Sequence, residues 1–590
     1  MNKSNRFQVL IGALLIVFGL AACVSAPETP TPTPAPSPTP QSLRGAGGVL
    51  NLLYWQAPTV LNPHLTTGTK DLAACRVTYE PLASYDKDGA LIPFLAAEIP
   101  SLDNDGVAPD GKSVTWRLRE GLFWSDGEPF TADDVLFTYE FIIDPANNAQ
   151  TGSTYEAIDR VEVIDDLTVT IHFRDVNPAW SLPFVGSSGM ILPRHAFEQD
   201  AEAANALPIG TGPYRMVPPG IKPQEVLLLG TQLVETNKIV YEPNPYFREP
   251  DQPYFSKVVL RGGGTVQEAA RALFNGEVDF AYNMLLSDTL IDELEALGKG
   301  KTVSYTTAKV ERILINLTDP NKTTPDGERS SVQHPHPFFS DLRVRQAFNA
   351  AIDRERIAAL YGRTGSPAAN VLVSPATYDS PNTVYEFSPD RAKALLDEAG
   401  WIDTDGDGVR DKDGVKMRVL FQTSVNSIRQ QTQKIVKENL EAIGVEVELK
   451  ILDASIFFGA NPDNPNSRWH FYADLEEYNI GNSSPDPGAY MQGWVCAEIA
   501  QKSNNWTGNN IERWCSSEYD ALYEQSKTEM DPEKRRLLFI QMNDLLVNQV
   551  VSIPLVDRAG VHGFSNALIG VDLTPWDSEL WNIKDWRRAQ

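Results

Sequence analysis

The sequence predicts an α/β fold in which strands alternate with helices, and three stretches of its second half carry this prediction. Three helices are predicted there, and the second of them begins at Ser388-Pro389 and ends at Gly400. A third helix runs to Ile443 and passes through Gly444 into an alternating strand at residues 445–449. Strand, helix and strand in this order imply a parallel sheet with helices on its faces. The first of the three helices lies within residues 341–362, where the apolar residues recur at the spacing of one helix face: Val344, Ala347, Phe348, Ala351 and Ile352.

The first 22 residues have the pattern of a secretory signal peptide. Lys3 and Arg6 give a basic start, and the uncharged stretch at residues 9–22 is shorter than the roughly 20 apolar residues of a spanning helix. Cys23 follows Leu20-Ala21-Ala22, and this ending resembles the bacterial lipobox, in which the cysteine is lipidated and becomes the mature N-terminus. The alternative is an ordinary cleaved signal with an incidental cysteine. Acyl chains, at about 0.8 kcal/mol per buried CH₂, would hold a soluble domain on a membrane.

Residues 23–48 are predicted to form a linker between this cysteine and the folded part. Between Pro27 and Pro40 every second or third residue is proline, so the run is expected to be an extended polyproline II segment. Glycines at residues 45–48 predict a loose join to a folded part that begins near Val49. We therefore expect an extracytoplasmic globular protein, anchored to the cell membrane by its N-terminal lipid.

The net charge restricts the classes of partner, and the cysteines indicate a disulfide. The chain of 590 residues has a formal net charge of −27, which argues against nucleic acid as a partner. Cys496 and Cys515 lie in one segment and are predicted to form a disulfide, because export is oxidising. Cys75 is expected to be a small buried residue. The cysteine and histidine spacings do not indicate zinc.

The first third of the chain is predicted to be richer in strands. Val114, Trp116 and Leu118 alternate with polar residues, and the turn at Glu120-Gly121 leads into residues 122–124, which together predict a hairpin. A helix is expected to start at Thr131, with acidic residues in its first turn.

An ordered series of short motifs runs through most of the chain after the linker. The motifs are Tyr79-Glu80-Pro81-Leu82, Asp110-Gly111-Lys112, residues 116–121, residues 124–135, residues 210–214, residues 276–279, residues 343–347, residues 351–354 and Ala399-Gly400. Together they resemble the family 5 solute-binding proteins, the dipeptide and oligopeptide receptors of ABC importers.

This resemblance implies a periplasmic-binding-protein-like fold of class II, or cluster C, with two lobes and an extra small α+β domain. Lobe I is expected at residues 49–80, 207–308 and 559–590, the extra domain at residues 81–206, and lobe II at residues 309–558. Such a protein closes its lobes over a ligand and delivers it to a membrane permease. It is expected to be a monomer that needs no cofactor.

The residues that would choose the ligand depart from the family pattern. In the peptide receptors of the family, an aspartate shortly before an Asp-Pro pair binds the terminal ammonium of the peptide. Ser483 stands near that place here, ahead of Asp486-Pro487, and Asp486 is interpreted as the structural acid of the motif. The ammonium partner is therefore missing, unnecessary or moved, for example to Asp474.

Tryptophans and asparagines are the other candidates for the walls of the ligand site. Trp55 ends the first strand, while Trp494 and Trp506 follow the Asp-Pro segment, and aromatic walls accept apolar side chains or sugar faces. The alternative for each is a tryptophan of the core. Asn504 and Asn505 beside Trp506, with Asn509, offer amides to a peptide or a saccharide. A peptide ligand is the first prediction, an oligosaccharide the second, and nickel or a metallophore the third.

Two segments have metal-binding patterns. Asp403, Asp405, Asp407 and Asp411 occupy positions 1, 3, 5 and 9 of an EF-hand-like loop, but Gly414 stands at position 12, where a bidentate glutamate is usual. Structural calcium is one interpretation, and an acidic surface turn is the other. The segment around His334 and His336 is predicted to be an exposed loop, with metal binding as the less favoured alternative.

An enzyme is the competing class, and the motifs argue against it. Residues 186–189 lack the Gly-x-Ser-x-Gly spacing, and residues 210–212 lack the third glycine of a dinucleotide loop. Neither His-Glu-x-x-His nor a phosphate-binding loop occurs in the sequence.

Overall fold

The structure of the protein is a computed structural model that describes residues 43–218, 238–459 and 463–589. Residues 43–590 form one compact unit. The predicted signal peptide, Cys23 and the proline-rich part of the linker lie outside the described residues. Within the described residues, no helix is both long enough and apolar enough to cross a membrane.

The strands follow one another along the whole compact unit. In chain order they are β1 (Val49–Tyr54), β2 (Ala83–Tyr85), β3 (Leu91–Pro93), β4 (Ser113–Arg117), β5 (Ile158–Asp165), β6 (Thr168–Phe173), β7 (Tyr214–Met216), β8 (Lys238–Pro243), β9 (Lys257–Gly262), β10 (Phe280–Ala281), β11 (Gly300–Ile315), β12 (Gly365–Pro367), β13 (Asp411–Lys412), β14 (Val415–Lys416), β15 (Arg418–Ser424), β16 (Glu446–Leu452), β17 (Leu475–Gly481), β18 (Ser552–Ser565), β19 (Leu568–Ile569) and β20 (Arg587–Arg588).

The α-helices are distributed between these strands. They are α1 (Thr69–Arg76), α2 (Ala132–Ile143), α3 (Arg194–Ala206), α4 (Val266–Asn275), α5 (Asp288–Glu295), α6 (Leu342–Ala351), α7 (Arg354–Ala358), α8 (Pro389–Glu398), α9 (Ser427–Glu441), α10 (Ala454–Phe457), α11 (Gly488–Met491), α12 (Ser517–Ser526) and α13 (Pro532–Asn548).

One large sheet passes through both lobes, and two long strands connect its halves. Its order is β16-β15-β17-β11-β18-β10-β1-β9-β8-β7, with β12 paired to β18. Along residues 309–315, β11 lies between β17 and β18, whereas along residues 300–306 it pairs with β18 alone. The pairing of β11 with β18 shifts register between Thr306 and Lys309. A β-bulge of this kind bends a strand, so the direction of β11 changes at residues 306–309.

The lobe II half contains the strand–helix–strand unit that the sequence predicts. β15 and β16 are parallel and joined by α9, which Asn426 caps by accepting from the backbone N–H groups of Ile428 and Arg429. α8 begins at Pro389 after Ser388 as predicted. The helix predicted within residues 341–362 is two helices, α6 and α7, because the chain turns between Ile352 and Asp353.

The extra domain has a three-stranded sheet in the order β4-β6-β5, and its core includes the fully buried Trp116. The hairpin predicted from residues 114–118 to 122–124 is wrong, because β4 pairs with β6, some fifty residues later in the chain. Helix α2 does begin after Thr131, whose backbone N–H donates to Asp134 Oδ2 at 3.0 Å.

Residues 43–48, at the start of the described chain, are hydrogen-bonded to the rest of the fold, whereas their glycines predict a loose join. The N–H groups of Gly45 and Gly47 donate to the carbonyl groups of Pro253 and Tyr254, at 2.9 and 2.8 Å. The guanidinium of Arg44 donates to carbonyl groups within residues 244–249. The folded part therefore includes residues 43–48.

Candidate functional site

The directions of the strands place the two halves of the sheet end to end. β10 and β11 are each antiparallel to β18, and β1 and β9 run parallel to β10, so these strands of lobe I point toward lobe II. β17 is antiparallel to β11 and parallel to β15, so the strands of lobe II point back toward lobe I. Ligands of sheets with parallel strands bind outside the carboxyl ends. Both sets of carboxyl ends face the crossing between the lobes, which is the candidate ligand cleft.

Aromatic side chains gather at the lobe I side of this cleft. The ring of Tyr282, just after β10, lies 4.9 Å from Trp55, 5.2 Å from Tyr54 and 4.8 Å from His562, measured between centroids. Tyr305 of β11 stacks on His562 at 5.2 Å. Trp55, a predicted wall of the site, is 43% exposed, so its ring is accessible at the cleft, and its contact with a ligand stays a prediction.

Two buried ionisable groups complete the aromatic cluster. Nδ1 of His562 accepts from the N–H of Asn283 at 3.0 Å, which assigns the proton to Nε2, and burial lowers the pKa of His562 to about 3. Burial raises the pKa of Glu579 to about 7, against the opposing effect of a hydrogen bond from the Tyr54 hydroxyl. The lobe I wall therefore presents a neutral imidazole and a carboxyl group that titrates near neutrality.

A cluster of charged groups lies at the lobe II side of the cleft. Arg429 donates from Nη2 to Glu311 Oε1 at 3.1 Å, and Arg558 donates from Nη1 to the same oxygen at 3.1 Å. Asn479 adds a third hydrogen bond to this oxygen, at 3.0 Å. Burial, reinforced by the charge of Glu311, raises the pKa of Glu477 well above its ordinary value. The cluster therefore contains two cations, one carboxylate, which is that of Glu311, and one carboxyl group, that of Glu477, which favours its neutral form.

A cavity of about 710 Å³ lies where the lobes meet the extra domain. Its volume is within the range of about 300–1,000 Å³ that is typical of small-molecule sites. One wall is the residues 301 and 303–306 of β11, a second is residues 373, 374 and 376 of lobe II, and a third is residues 568–573. Lys87, Lys301, Asp88 and Asp572 supply charges of both signs around it.

Asp474 and Ser483, the candidates for a charged ligand end, have different surroundings. The carboxylate of Asp474 is held by His336 Nε2 at 3.0 Å and by the backbone N–H of Leu420 at 2.6 Å, and the residue is 6% exposed. Both of its oxygens therefore serve the structure of lobe II. Ser483 is exposed. Asp486 forms an ion pair with Arg535, in keeping with its interpretation as a structural acid.

The other candidates lie apart from the aromatic cluster. Trp494 is 3% exposed, donates from Nε1 to Glu512 at 3.3 Å and lies under the guanidinium of Arg312, so it belongs to a core of lobe II. Trp506 is half-buried, with its ring 4.2 Å from that of His470. The amide of Asn504 closes a local turn through the N–H of Gln501 and the carbonyl of Ile499, whereas Asn505 is exposed.

Three of the four cysteines lie among the described residues. Cys496 and Cys515 form a disulfide, and Cys75 is a free, buried thiol. Burial raises the pKa of the Cys75 thiol well above its ordinary value, which keeps it protonated and unreactive.

The acidic loop brings together three of its four predicted ligands. Oxygens of Asp403, Asp405 and Asp411 lie within 4.8 Å of one another. The ammonium of Lys416, however, lies 2.7 Å from both oxygens of Asp405 and 2.8 Å from Asp407. The carboxylates thus already have a cation from the chain itself.

The segment around His336 differs from the exposed loop that its prolines predict. His336 is 1% exposed, and its two ring nitrogens are engaged by Asp474 and by the N–H groups of Phe338 and Phe339. Its role is therefore to hold the loop on lobe II.

Several cleft residues escaped prediction, namely Tyr282, Tyr305, Glu311, Arg429, His562 and Glu579. Tyr305 and Glu311 share β11, whereas the others come from distant segments of the chain that only the tertiary fold brings together. The sequence contains one signal for such residues, namely the predicted strands that end near the expected lobe boundary at residues 308 and 558. Charged and aromatic residues close to those strand ends are expected to lie where the sheet crosses between the lobes.

This arrangement of two half-sheets, crossing strands and a cavity beside β11 defines a two-lobed α/β binding protein. A family model described as "Bacterial extracellular solute-binding proteins, family 5 Middle" matches residues 90–501, and the chain belongs to this family. Because proteins of this family bind solutes for transporters, the chain is a binding protein and not an enzyme. The predicted fold class, with two lobes and an extra domain, is confirmed.

Two known proteins illustrate the similarity. The oligopeptide-binding protein AppA of Bacillus subtilis (strain 168) is 26% identical over 547 residues, which are 89% of this chain and 92% of that protein. The structure of AppA from Bacillus subtilis in complex with a nonapeptide has a TM-score of 0.64 at 25% identity, covering 94% of this chain and 100% of that one. NikZ from Campylobacter jejuni, in complex with Ni(L-His), has a TM-score of 0.67 at 22% identity, covering 92% and 99%.

Proposed function

We propose that this protein captures peptides between its two lobes and delivers them to the permease of an ABC importer. The observation that carries the proposal is the cavity of about 710 Å³ between β11, residues 373–376 and residues 568–573, in a chain that matches an oligopeptide-binding relative along nine-tenths of its length. The main chain of β11, side chains of both charges and the rings of Tyr305 and Phe564 line this cavity, which suits a ligand with alternating polar and apolar groups.

The mechanism needs no covalent step. Lobe I is proposed at residues 49–80, 207–308 and 559–590, lobe II at residues 309–558, and the extra domain at residues 81–206. Rotation about the bulge between Thr306 and Lys309 would open the cleft. A ligand shifts the equilibrium toward the closed form because only that form contacts it from both lobes.

The proposed location of the protein rests on its N-terminal sequence. The pattern of residues 1–23 supports export, lipidation at Cys23 and attachment to the outer face of the cell membrane. The proline-rich linker would hold the compact unit near the permease while leaving it free to meet solutes. We propose that the protein acts there as a monomer.

A nickel complex is a weaker candidate at this cleft, although a structural neighbour binds one. His562 is the imidazole of the aromatic cluster, and its Nδ1 already accepts a hydrogen bond from Asn283. A saccharide remains the alternative that the aromatic wall would accept. For the acidic loop, structural calcium stays a prediction, and it requires the ion to displace the ammonium of Lys416.

The test is a thermal-shift screen of the compact unit at residues 43–590. A pool of short peptides, a pool of oligosaccharides and nickel with histidine are added separately, each at the same concentration. A ligand that binds the folded state raises the melting temperature in proportion to the logarithm of its concentration. We expect a rise with peptides alone, whereas a rise with saccharides or nickel alone would overturn the peptide assignment.

A further inference from the structure

We propose that Glu579 and the rings of Trp55, Tyr282 and Tyr305 form a subsite on lobe I that binds a cationic side chain of the ligand. This subsite narrows the ligand class to peptides that contain lysine or arginine. The inference rests on the proposed function and deepens it, because it names the kind of peptide that the cleft selects.

The first observation is a buried acidic group that lacks a cation. Glu579 is 7% exposed, and within the part of the chain that the structure describes no lysine, arginine or histidine pairs with its carboxyl group. The hydroxyl of Tyr54 donates to Oε1, and the backbone N–H of Glu579 is the other donor. By contrast, the nearby Asp577 is paired with the buried Arg76 at 3.1 Å. Because acidic residues are rarely buried without a partner, the carboxyl group of Glu579 is suited to pair with a cation from the ligand.

The second observation is that partly exposed aromatic rings lie near this carboxyl group. Burial, and after it the charge of Glu579, raises the pKa of Tyr282 to about 12, and the same two causes raise the pKa of Tyr305. Both phenols therefore lie within electrostatic reach of the carboxyl group. Both residues are half-buried, Tyr305 lines the cavity, and the ring of Tyr282 lies 4.9 Å from that of Trp55. Because ring faces attract a cation within about 6 Å, the rings would hold a cation that the carboxylate neutralises.

The burial of Glu579 favours a side chain over the terminal ammonium of a peptide. Lysine and arginine bury their methylene stems along apolar surface and carry the charge at the far end. Such a stem can pack on Trp55 and Tyr282 while the main chain of the peptide stays in the cavity. A terminal ammonium is attached directly to the main chain, so it would bring peptide groups among the rings, where unpaired polar groups cost free energy. The net charge of −27 also attracts cationic solutes to the protein.

Binding at this subsite should release a proton. Burial raises the pKa of Glu579 to about 7, so its carboxyl group is mostly protonated at pH 6. A cation beside the carboxyl group favours its charged form, and the proton passes to the buffer. Burial keeps the neighbouring phenols and imidazole neutral at this pH by moving their pKa values away from it, and the neighbouring acid keeps its ion pair. These neighbours are Tyr54, Tyr282, Tyr305, His562 and Asp577.

The experiment compares two mixtures of unmodified tetrapeptides by isothermal titration calorimetry on the compact unit. Each peptide of one mixture contains a lysine, and the other mixture contains norleucine in its place, which keeps the apolar stem but lacks the ammonium. We expect the lysine mixture to bind about tenfold more tightly. Glu579→Gln keeps the volume of the side chain and should reduce this preference to less than about twofold. Glu242→Gln is the matched control on lobe I and should leave the preference unchanged, because Glu242 is paired with Arg215 at the surface.

Three results of this comparison would overturn the proposal. They are equal binding of the two mixtures by the unaltered protein, a lysine preference that persists in Glu579→Gln, and a loss of affinity in Glu579→Gln that is the same for both mixtures. The last result would assign the carboxyl group to the terminal ammonium of the peptide.

A second measurement needs no variant. The unaltered protein is titrated with each mixture at pH 6 in two buffers of different ionisation enthalpy, which gives the number of protons released on binding. We expect the lysine mixture to release between about half a proton and one proton, and the norleucine mixture to release none. Equal release with both mixtures contradicts the subsite. A protein that binds neither mixture overturns the proposed function itself, whereas equal affinity for both mixtures overturns this inference alone.

Discussion

Replacement of Arg429 by methionine is predicted to destabilise lobe II strongly. The side chain of Arg429 is 9% exposed and that of Glu311 is 2% exposed, so their ion pair is buried. Methionine fills a similar volume but leaves Glu311 with one cation fewer. The remaining partner is Arg558, whose Nη1 stays 3.1 Å from Glu311 Oε1 and whose side chain is 21% exposed.

The size of the effect follows from this geometry. Removing one member of a buried ion pair typically costs about 3–5 kcal/mol. Because Arg558 still neutralises part of the charge on Glu311, we expect a value near the lower limit, about 3 kcal/mol. For a lobe of this size, 1 kcal/mol corresponds to roughly 2–4 °C, so the melting temperature should fall by about 6–12 °C.

Differential scanning calorimetry of the compact unit measures this fall. Arg356→Met is the matched control, because the ion pair of Arg356 with Glu438 has side chains that are 51% and 59% exposed, and surface pairs contribute about 0–1 kcal/mol. The double variant Glu311→Leu/Arg429→Met should recover part of the loss, since the buried carboxylate of Glu311 is then absent and only Arg558, whose side chain is 21% exposed, loses a partner. A fall for Arg429→Met no larger than that for Arg356→Met would refute the description of the cluster.

Three further predictions test other parts of the molecule. Trp55→Ala should weaken peptide binding by roughly tenfold, or about 1.4 kcal/mol, with little change in melting temperature, whereas Trp494→Ala should lower stability by about 3–5 kcal/mol; titration calorimetry and thermal unfolding separate the two outcomes. Replacing both Cys496 and Cys515 by serine should cost about 3 kcal/mol through the entropy of the opened loop, and an equal loss should appear when the unaltered protein is unfolded in a reducing agent; no loss in either experiment contradicts the disulfide. Burial raises the pKa of Glu476 to about 8 in the folded state, so the contribution of this residue to stability is present below its ordinary pKa and is lost as the pH rises through 8. Glu476→Gln should remove this decline, which urea unfolding curves between pH 5 and about 9 would measure. An unchanged decline in the variant would show that another group causes it.

The parts of the fold that the sequence predicts well depend on local signals. Ser388-Pro389 and Gly400 define α8 because a capping side chain, the φ of proline and a left-handed glycine each act within one turn of the chain. The passage from α9 into β16 is predictable for the same reason. The short motifs predict the fold class for most of the chain, because they occur along it in the same order as in the family.

Contacts between distant segments were not predictable. The sequence pattern around Trp116 predicts a hairpin strand paired with residues 122–124. In the structure this strand pairs with β6 instead, and no local feature of the sequence indicates that pairing. Trp55 and Trp494 are alike in sequence terms, yet one ends at the open cleft and the other packs under Arg312. Asp474 is a further case, because its partner His336 lies 138 residues earlier in the chain.

Small-angle X-ray scattering of the compact unit, with and without the peptide pool, tests the central claim most directly. If the two lobes close around a peptide by rotating at the bulge between Thr306 and Lys309, the radius of gyration must fall when peptides are added and must remain unchanged with saccharides. Identical scattering curves with and without a peptide that is shown to bind would contradict closure, and a contraction with saccharides alone would contradict the assignment of the ligand.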